Sequence, residues 1–157
     1  MIQPAIAHKE ELQKLWIEHL NSDRSMYTQA CSYYEYDLDI KKDEWNYMQL
    51  VSIENEKIVG YVHVGINREH DRVSNILFVS FVDKSVTFSL DCKGVFENLM
   101  SRFRKISFTC VVGNPAEKMY NKLVKRYNGR VACVQKDHIR LRDGKYYDYK
   151  LYEIMCK

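Results

Sequence analysis

Hydrophobic positions change their spacing several times along this chain, and each change predicts an element of secondary structure. Between residues 8 and 20 they recur at helical spacing, which predicts a helix with one apolar face. That face is formed by Leu12, Leu15, Trp16 and Leu20. Later runs are rich in β-branched and aromatic residues, as is typical of strands. They predict strands at residues 47–53, 57–66, 74–82, 85–90, 106–112, 130–136 and 146–154.

The segments between these runs complete the predicted order of elements. The first two strands form a hairpin around residues 54–56, and Asp143-Gly144 predicts a turn before the last strand. Residues 95–103 predict a short helix. Residues 22–46 are rich in aromatic side chains but follow no regular period, so we predict a helical or irregular lobe there. With 157 residues and no repeat, we expect one α/β (α+β) domain over residues 1–157.

The region from 106 to 129 carries the clearest transition from strand to helix. Asn114 is suited to cap a helix through its side chain, Pro115 suits the first turn, and Glu117 follows three residues after the cap. Gly129 is expected to stop the helix. The apolar face of this helix consists of Met119, Tyr120, Leu123, Val124 and Tyr127. The pattern predicts a strand–helix unit with Asn114 where the strand ends.

Composition narrows the classes of protein to which this chain can belong. The chain is 46% hydrophobic with six glycines and two prolines, which argues against low-complexity disorder. A net charge of +3 gives no strong indication of nucleic-acid binding. We expect no membrane span, and five scattered cysteines favour a reducing, cytoplasmic location. The histidines and cysteines lack the spacing of metal ligands, so no metal site is predicted.

An apolar strand, Asn114 at its end and Tyr120 six residues later resemble the GNAT N-acetyltransferase superfamily. The order of the predicted elements is similar to that superfamily over most of the chain, and the segment 143–154 resembles its closing strands. The resemblance implies a mixed, mostly antiparallel twisted sheet flanked by helices. It also implies that the segment from Asn114 to Tyr120 contacts acetyl-coenzyme A, and that Tyr120 donates a proton to the leaving thiolate.

One segment departs from the family pattern. Family members carry a glycine-rich loop after the fourth strand, whose N–H groups hold the pyrophosphate. The matching stretch here is Ser89-Leu90-Asp91-Cys92-Lys93-Gly94-Val95, with one glycine. Asp91 would repel phosphate, and Lys93 could offset it. The residues expected at the cofactor are Phe88, Ser89, Leu90, Lys93, Gly94, Val95, Asn114 and Tyr120.

Acetyl transfer to an amine needs a proton acceptor, a polarised carbonyl and a protonated leaving group. Tyr120 is the candidate acid, although a tyrosine on an apolar helix face is commonly a core residue. The sequence singles out no base. Four candidates remain open, and each is of a type common on protein surfaces: Glu35, Asp37, His63 and Glu97.

The resemblance therefore predicts an N-acetyltransferase that moves an acetyl group from acetyl-coenzyme A to a small-molecule or peptide amine. A homodimer is one assembly that such a protein could form. The alternative is a catalytically degenerate binding protein, in which the scaffold is kept and the glycine-poor loop no longer holds the cofactor. The intact segment from Asn114 to Tyr120 favours the enzyme, and the missing glycines favour the alternative.

Overall fold

A computed structural model describes residues 1–28, 37–41 and 45–156. The strands are β1 (Ile2–Pro4), β2 (Tyr47–Glu54), β3 (Lys57–Asn67), β4 (Arg72–Ser80), β5 (Lys105–Val111), β6 (Arg130–Arg140) and β7 (Tyr146–Met155). The helices are α1 (Lys9–Leu20), α2 (Val86–Arg102) and α3 (Glu117–Arg126), with single 3₁₀ turns at Ala5–His8 and Asp23–Met26. Most of the predicted aromatic-rich lobe, at residues 29–36 and 42–44, lies outside the described residues.

The strands form one mixed sheet in the order β1-β2-β3-β4-β5-β7-β6. Every neighbouring pair is antiparallel except β4 and β5, which run parallel. Only two residue pairs join these parallel strands, Arg72 with Lys105 and Val73 with Ile106. Beyond Val73 the two strands lack a pairing partner along their shared edge, and a cleft opens between them. The predicted fold class, a mostly antiparallel sheet flanked by helices, is confirmed.

Two apolar clusters cover the two faces of the sheet. Side chains alternate between faces along a strand, so Val62 and Val64 of β3 point one way while Tyr61 points the other. The Val62 face packs against α2 and against Val124 of α3. The Tyr61 face packs against α1 through Trp16. Helices α2 and α3 therefore pack on one side of the cleft between β4 and β5, and α1 packs on the other side.

The predicted strand at residues 85–90 is wrong, because these residues begin α2. Ser85 is its N-cap, and the Ser85 hydroxyl oxygen accepts a hydrogen bond from the Phe88 N–H at 2.9 Å. The predicted short helix at 95–103 is the second half of the same helix. Tertiary packing overrides the β-propensity of Val86-Thr87-Phe88, because the Phe88 ring lies so close to Gly60 that a Cβ there would approach it to 2.4 Å.

Helix α3 forms close to its predicted position, with different residues at its ends. It begins at Glu117, and the Asn114 side chain accepts a hydrogen bond from the Ala116 N–H at 2.9 Å in the preceding turn. At the other end Asn128, with φ of 53°, takes the left-handed conformation in which helices commonly end, one residue before the predicted Gly129. Gly129 is needed for space instead, since a Cβ there would lie 2.6 Å from Ile154.

Candidate active site

The cleft between β4 and β5 is the candidate active site. We call it the β4–β5 cleft, and it is lined by Tyr27, Thr28, Asn75, Ile76, Leu77, Phe78, Thr109, Cys110, Val111, Asn114, Tyr120 and Tyr149. It encloses about 70 Å³. Both Asn114 and Tyr120, which the sequence singled out, belong to this lining. The backbone edge of β4 from Asn75 to Phe78 faces the cleft without a strand partner.

Tyr120 lies in the first turn of α3, with its ring held against the sheet. The ring centroid is 5.4 Å from that of Phe108 and 6.4 Å from that of Tyr152. Its hydroxyl forms no hydrogen bond with any residue that the structure describes, although it lines the cleft. Burial raises the pKa of Tyr120, and the nearby Cys110 adds to that rise. The hydroxyl therefore stays protonated near neutral pH, as a proton donor must.

The polar contacts of Glu117 and of β7 fix the start of α3 beside the cleft. The Glu117 carboxylate accepts hydrogen bonds from the Lys150 ammonium and from the Gly113 N–H, the latter at 2.9 Å. These bonds lower the pKa of Glu117, the lysine contributing more. The Tyr152 hydroxyl donates to the Asn121 side-chain oxygen at 2.8 Å. Because β7 holds the helix at two points, the position of Tyr120 depends on a strand that follows it in the chain.

Several residues of the cleft wall are not among those predicted from the sequence. The Thr109 hydroxyl and the Tyr149 hydroxyl lie 2.7 Å apart, joining β5 to β7. Cys110, next to Thr109, is buried, and burial raises the pKa of its thiol to about 12. A neutral thiol and a bridged hydroxyl make this wall uncharged. Only the register of Val111 opposite Tyr149 brings Tyr149 here, so no local pattern could have indicated it.

A larger cavity lies on the α1 face of the sheet and shares a wall with the cleft. We call it the Trp16 cavity, and it has a volume of about 440 Å³. Its lining is Trp16, Asp37, Leu38, Asp39, Lys41, Tyr47, Gln49, Tyr61, His63, Asn75 and Leu77. Asn75 and Leu77 of β4 also line the β4–β5 cleft. A molecule in the Trp16 cavity would therefore lie one strand away from the cleft.

The four candidate bases fall in different places. Asp37 and His63 line the Trp16 cavity. Glu97 lies on the exposed surface of α2, on the other face of the sheet, where its carboxylate accepts a hydrogen bond from the Tyr127 hydroxyl at 3.3 Å. Glu35 lies outside the described residues. The structure thus separates two of the candidates from the surface residue Glu97.

Comparison with solved structures finds the same fold in acetyltransferases. The chain is similar to smu.2055 from Streptococcus mutans UA159, with a TM-score of 0.72 and 16% identity over 100% of this chain and 99% of that one. It is similar to the ribosomal-protein-S18-alanine N-acetyltransferase from Escherichia coli, with a TM-score of 0.60 and 12% identity over 73% and 72% of the chains.

A third similar structure is the spermidine/spermine N-acetyltransferase SpeG from Vibrio cholerae, with a TM-score of 0.55 and 16% identity over 72% of this chain and 67% of that one. No family model matches the sequence, and no curated protein matches it. The protein has the GNAT fold. The likeness lies in the arrangement of helices and strands, since all three identities are low.

The start of α2 differs from the phosphate-binding loop of the family pattern. Lys93 and Gly94 lie in the second and third turns of α2, where the backbone N–H groups are bonded within the helix. Lys93 forms an ion pair with Glu97 at 3.8 Å. Ser89 and Leu90 are exposed, while Phe88 and Val95 are buried in the apolar core. The structure therefore groups Asn114 with Tyr120 and leaves the other predicted cofactor residues on α2. Their roles in binding stay predictions.

The carboxylate of Glu54, the last residue of β2, lies at the N-terminus of α2. Glu54 accepts a hydrogen bond from the Thr87 hydroxyl, and its other oxygen lies 3.4 Å from the Ser85 hydroxyl. The free N–H groups at a helix start attract negative charge. In this GNAT fold, one of the protein's own carboxylates is close to the position where the family pattern holds phosphate.

Two further properties concern the described residues. None of their helices combines the length and the apolar character that a membrane span needs. No group of three or more His, Cys, Asp or Glu side chains among them is arranged to hold a metal ion.

Proposed function

We propose that this protein is an N-acetyltransferase that moves the acetyl group of acetyl-coenzyme A to an amine. The observation that carries the proposal is the Tyr120 hydroxyl, which has no hydrogen-bond partner among the described residues and lines a cleft between two diverging strands. The fold of the similar acetyltransferases supports it.

The donor is expected to lie along the open edge of β4. The arm of coenzyme A that carries the thioester contains two amide groups, and an open strand edge offers the N–H and C=O groups that amides pair with. Asn114 lies at the far wall of the cleft with its side-chain oxygen already bonded to Ala116, so its NH₂ group is the part that could donate to the arm. A β4 N–H beside the thioester carbonyl would stabilise the oxyanion.

Tyr120 is proposed to act on the leaving sulfur. Because its pKa is raised, we expect the hydroxyl first to donate a hydrogen bond to the sulfur and to transfer its proton as the carbon–sulfur bond breaks. The same packing that raises the pKa holds the ring against Phe108 and limits the positions of the hydroxyl. The acceptor amine would enter from the Trp16 cavity, whose volume of about 440 Å³ exceeds that of the cleft.

The first experiment is a titration with acetyl-coenzyme A, followed by a thiol-release assay with hydroxylamine, a small nucleophile that is neutral at pH 7. We expect heat of binding, a raised melting temperature from ligand binding to the native state, and enzyme-dependent release of coenzyme A. Absence of both binding and thiol release at millimolar acetyl-coenzyme A would contradict the proposed function.

A second function, a binding protein built on the same scaffold, is favoured by one observation. The Glu54 carboxylate occupies the N-terminus of α2, and no glycine is present between Phe81 and Ser85. If this arrangement excludes the phosphates, the cleft would bind no coenzyme A. The titration above separates the two functions.

A further inference from the structure

The wall of the Trp16 cavity contains a hydrogen-bonded set of side chains. The proposed role of Tyr120 as proton donor gives this set no function. The Gln49 amide donates to the Tyr61 hydroxyl oxygen at 2.9 Å, and that oxygen lies 3.5 Å from His63 Nδ1. Gln49 is itself fixed at both ends of its amide group. It donates to the Asp39 carbonyl at 2.8 Å and accepts from the Lys41 N–H at 2.9 Å. Buried polar groups that are fully bonded hold one orientation.

This arrangement leaves one nitrogen of the imidazole ring for a ligand. Tyr61 is fully buried, and burial raises its pKa to about 12, so it remains a neutral hydroxyl whose oxygen can accept a second hydrogen bond. Either the Tyr61 hydroxyl or Nδ1 is the donor in this contact, depending on the tautomer of the ring; in the tautomer that carries its proton on Nδ1, the lone pair of His63 is on Nε2. Nε2 has no hydrogen-bond partner among the residues that the structure describes, and the ring lines the Trp16 cavity.

Burial of His63, with a smaller contribution from Lys41, favours the neutral form of its ring. Burial lowers the pKa of His63, Lys41 lowers it further, and Asp39 opposes this in part. The other titratable groups that line the cavity are Asp37, Tyr47 and Tyr61, and the Tyr47 ring lies 5.6 Å from the imidazole. A neutral imidazole near pH 7 can accept a proton, whereas an imidazolium cannot.

The sheet register brings this imidazole close to the cleft. His63 of β3 lies directly opposite Leu77 of β4, and Leu77 lines both the Trp16 cavity and the β4–β5 cleft. The Cβ atoms of such cross-strand partners are about 4.5–5.5 Å apart. His63 and the proposed thioester position are thus on the two sides of one strand.

We propose that His63 is the proton acceptor for the attacking amine, that Tyr61 positions it, and that the acceptor is a primary ammonium with an apolar body. Trp16, Tyr47 and Leu77 would contact the body, and the Asp37 carboxylate would attract the positive charge. The Asp39 carboxylate is already paired with the Lys41 ammonium at 3.3 Å. This inference rests on the proposed acetyl transfer.

The proton and bond changes balance as follows. His63 Nε2 takes one proton from the ammonium, and the freed lone pair forms a bond to the thioester carbon. The carbon–sulfur bond breaks, and the sulfur leaves with a proton from Tyr120. The second surplus proton of the nitrogen restores the Tyr120 hydroxyl, and His63 returns its proton to solvent. The products are the acetamide, free coenzyme A and one proton.

The test compares two nucleophiles that differ in their need for a base. The amine 2-phenylethylamine is protonated at pH 7 and must lose a proton before attack, whereas hydroxylamine is already neutral. For His63→Gln we expect kcat/KM with 2-phenylethylamine to fall about 10²-fold or more and the acidic limb of its pH profile to disappear. The rate with hydroxylamine should change less than about threefold, since general-base assistance is not needed there.

Tyr61→Phe keeps the buried ring and removes the hydroxyl beside Nδ1. We expect this variant to shift the acidic limb of the pH profile of kcat/KM for 2-phenylethylamine. The rise in melting temperature with acetyl-coenzyme A should stay unchanged. A structural role alone would lower both reactions and stability together. Three results would overturn the inference and leave the proposed function standing. In His63→Gln, they are an equal fall of kcat/KM with both nucleophiles or no fall with either. In the wild type, it is turnover of hydroxylamine but not of 2-phenylethylamine. Wild-type turnover of neither nucleophile would overturn both.

Discussion

Two strand–helix units meet at the cleft, and they differ in what they offer a ligand. In the unit of β5 and α3, Tyr120 reaches the cleft with a neutral hydroxyl. This hydroxyl has no hydrogen-bond partner among the described residues. In the unit of β4 and α2, the helix start carries the Glu54 carboxylate and the Ser85 cap. Both helices follow a strand, but one presents a proton donor and the other a negative charge.

The difference separates the two parts of the proposed reaction. The unit of β5 and α3 carries the hydroxyl that the proposed proton transfer to sulfur needs, whereas residues 81–85, which lead into α2, contain no glycine of the kind that suits a phosphate-binding loop. We infer that the thioester arm contributes more to donor binding than the phosphates do. The following changes test the two units against each other.

The largest expected effect is that of Tyr120→Phe, which removes the hydroxyl and keeps the packed ring. We expect thiol release with hydroxylamine to fall about 10²–10⁴-fold, because general-acid assistance is lost. The matched control is Tyr127→Phe on the same helix, whose hydroxyl contacts Glu97 outside the cleft. Rates are measured at equal fractions of folded protein. Equal activity of the two variants would leave Tyr120 as a core residue.

The next effect concerns one glycine in each unit. At Gly129 an added Cβ would lie 2.6 Å from Ile154 and 2.7 Å from the Glu153 carbonyl oxygen, so Gly129→Ala should destabilise the protein by about 1–3 kcal/mol. At Gly94 nothing lies within 4 Å of such an atom, and Gly94→Ala should stabilise α2 by about 0.5–1 kcal/mol. Urea unfolding midpoints measure both. Changes of the same sign in the unfolding free energies of the two variants would contradict this account of the packing around the two glycines.

A smaller effect is expected of Glu54→Gln at the start of α2. Removing the charge is worth about 0.3–1 kcal/mol at a helix terminus, which corresponds to about two- to fivefold tighter binding of acetyl-coenzyme A. The thioester of N-acetylcysteamine, which lacks phosphates, should bind unchanged. Glu56→Gln in the adjacent β2–β3 turn is the control, since Glu56 is exposed. Calorimetry supplies the dissociation constants.

Lys93→Ala distinguishes the structure-based expectation from the sequence-based one. The glycine-poor stretch predicted that Lys93 holds phosphate, and its loss would then weaken binding. From its position in the interior of α2, paired with Glu97, we expect no change. A weaker dissociation constant would support the sequence-based prediction and place the phosphates along α2.

Most of the fold could be predicted from the sequence, because its elements are encoded by short-range patterns. The helical spacing of Leu12, Trp16 and Leu20 indicated α1, and β-branched runs indicated the strands of the hairpin. The error at residues 85–90 arose where Val86-Thr87-Phe88 favours a strand locally and the packing of Phe88 on Gly60 favours a helix. Local propensity is weaker than burial of an aromatic ring.

The sequence by itself determined the order of the elements and the strand–turn–helix unit that carries Asn114 and Tyr120, because periodicity and capping act over a few residues. Only the tertiary structure decided that β4 and β5 diverge after Val73, that Glu54 reaches the start of α2, and that Gln49 of β2 bonds to Tyr61 of β3. These contacts depend on sheet register and on helix packing, which join positions distant in the chain. No single segment of the sequence therefore indicates them.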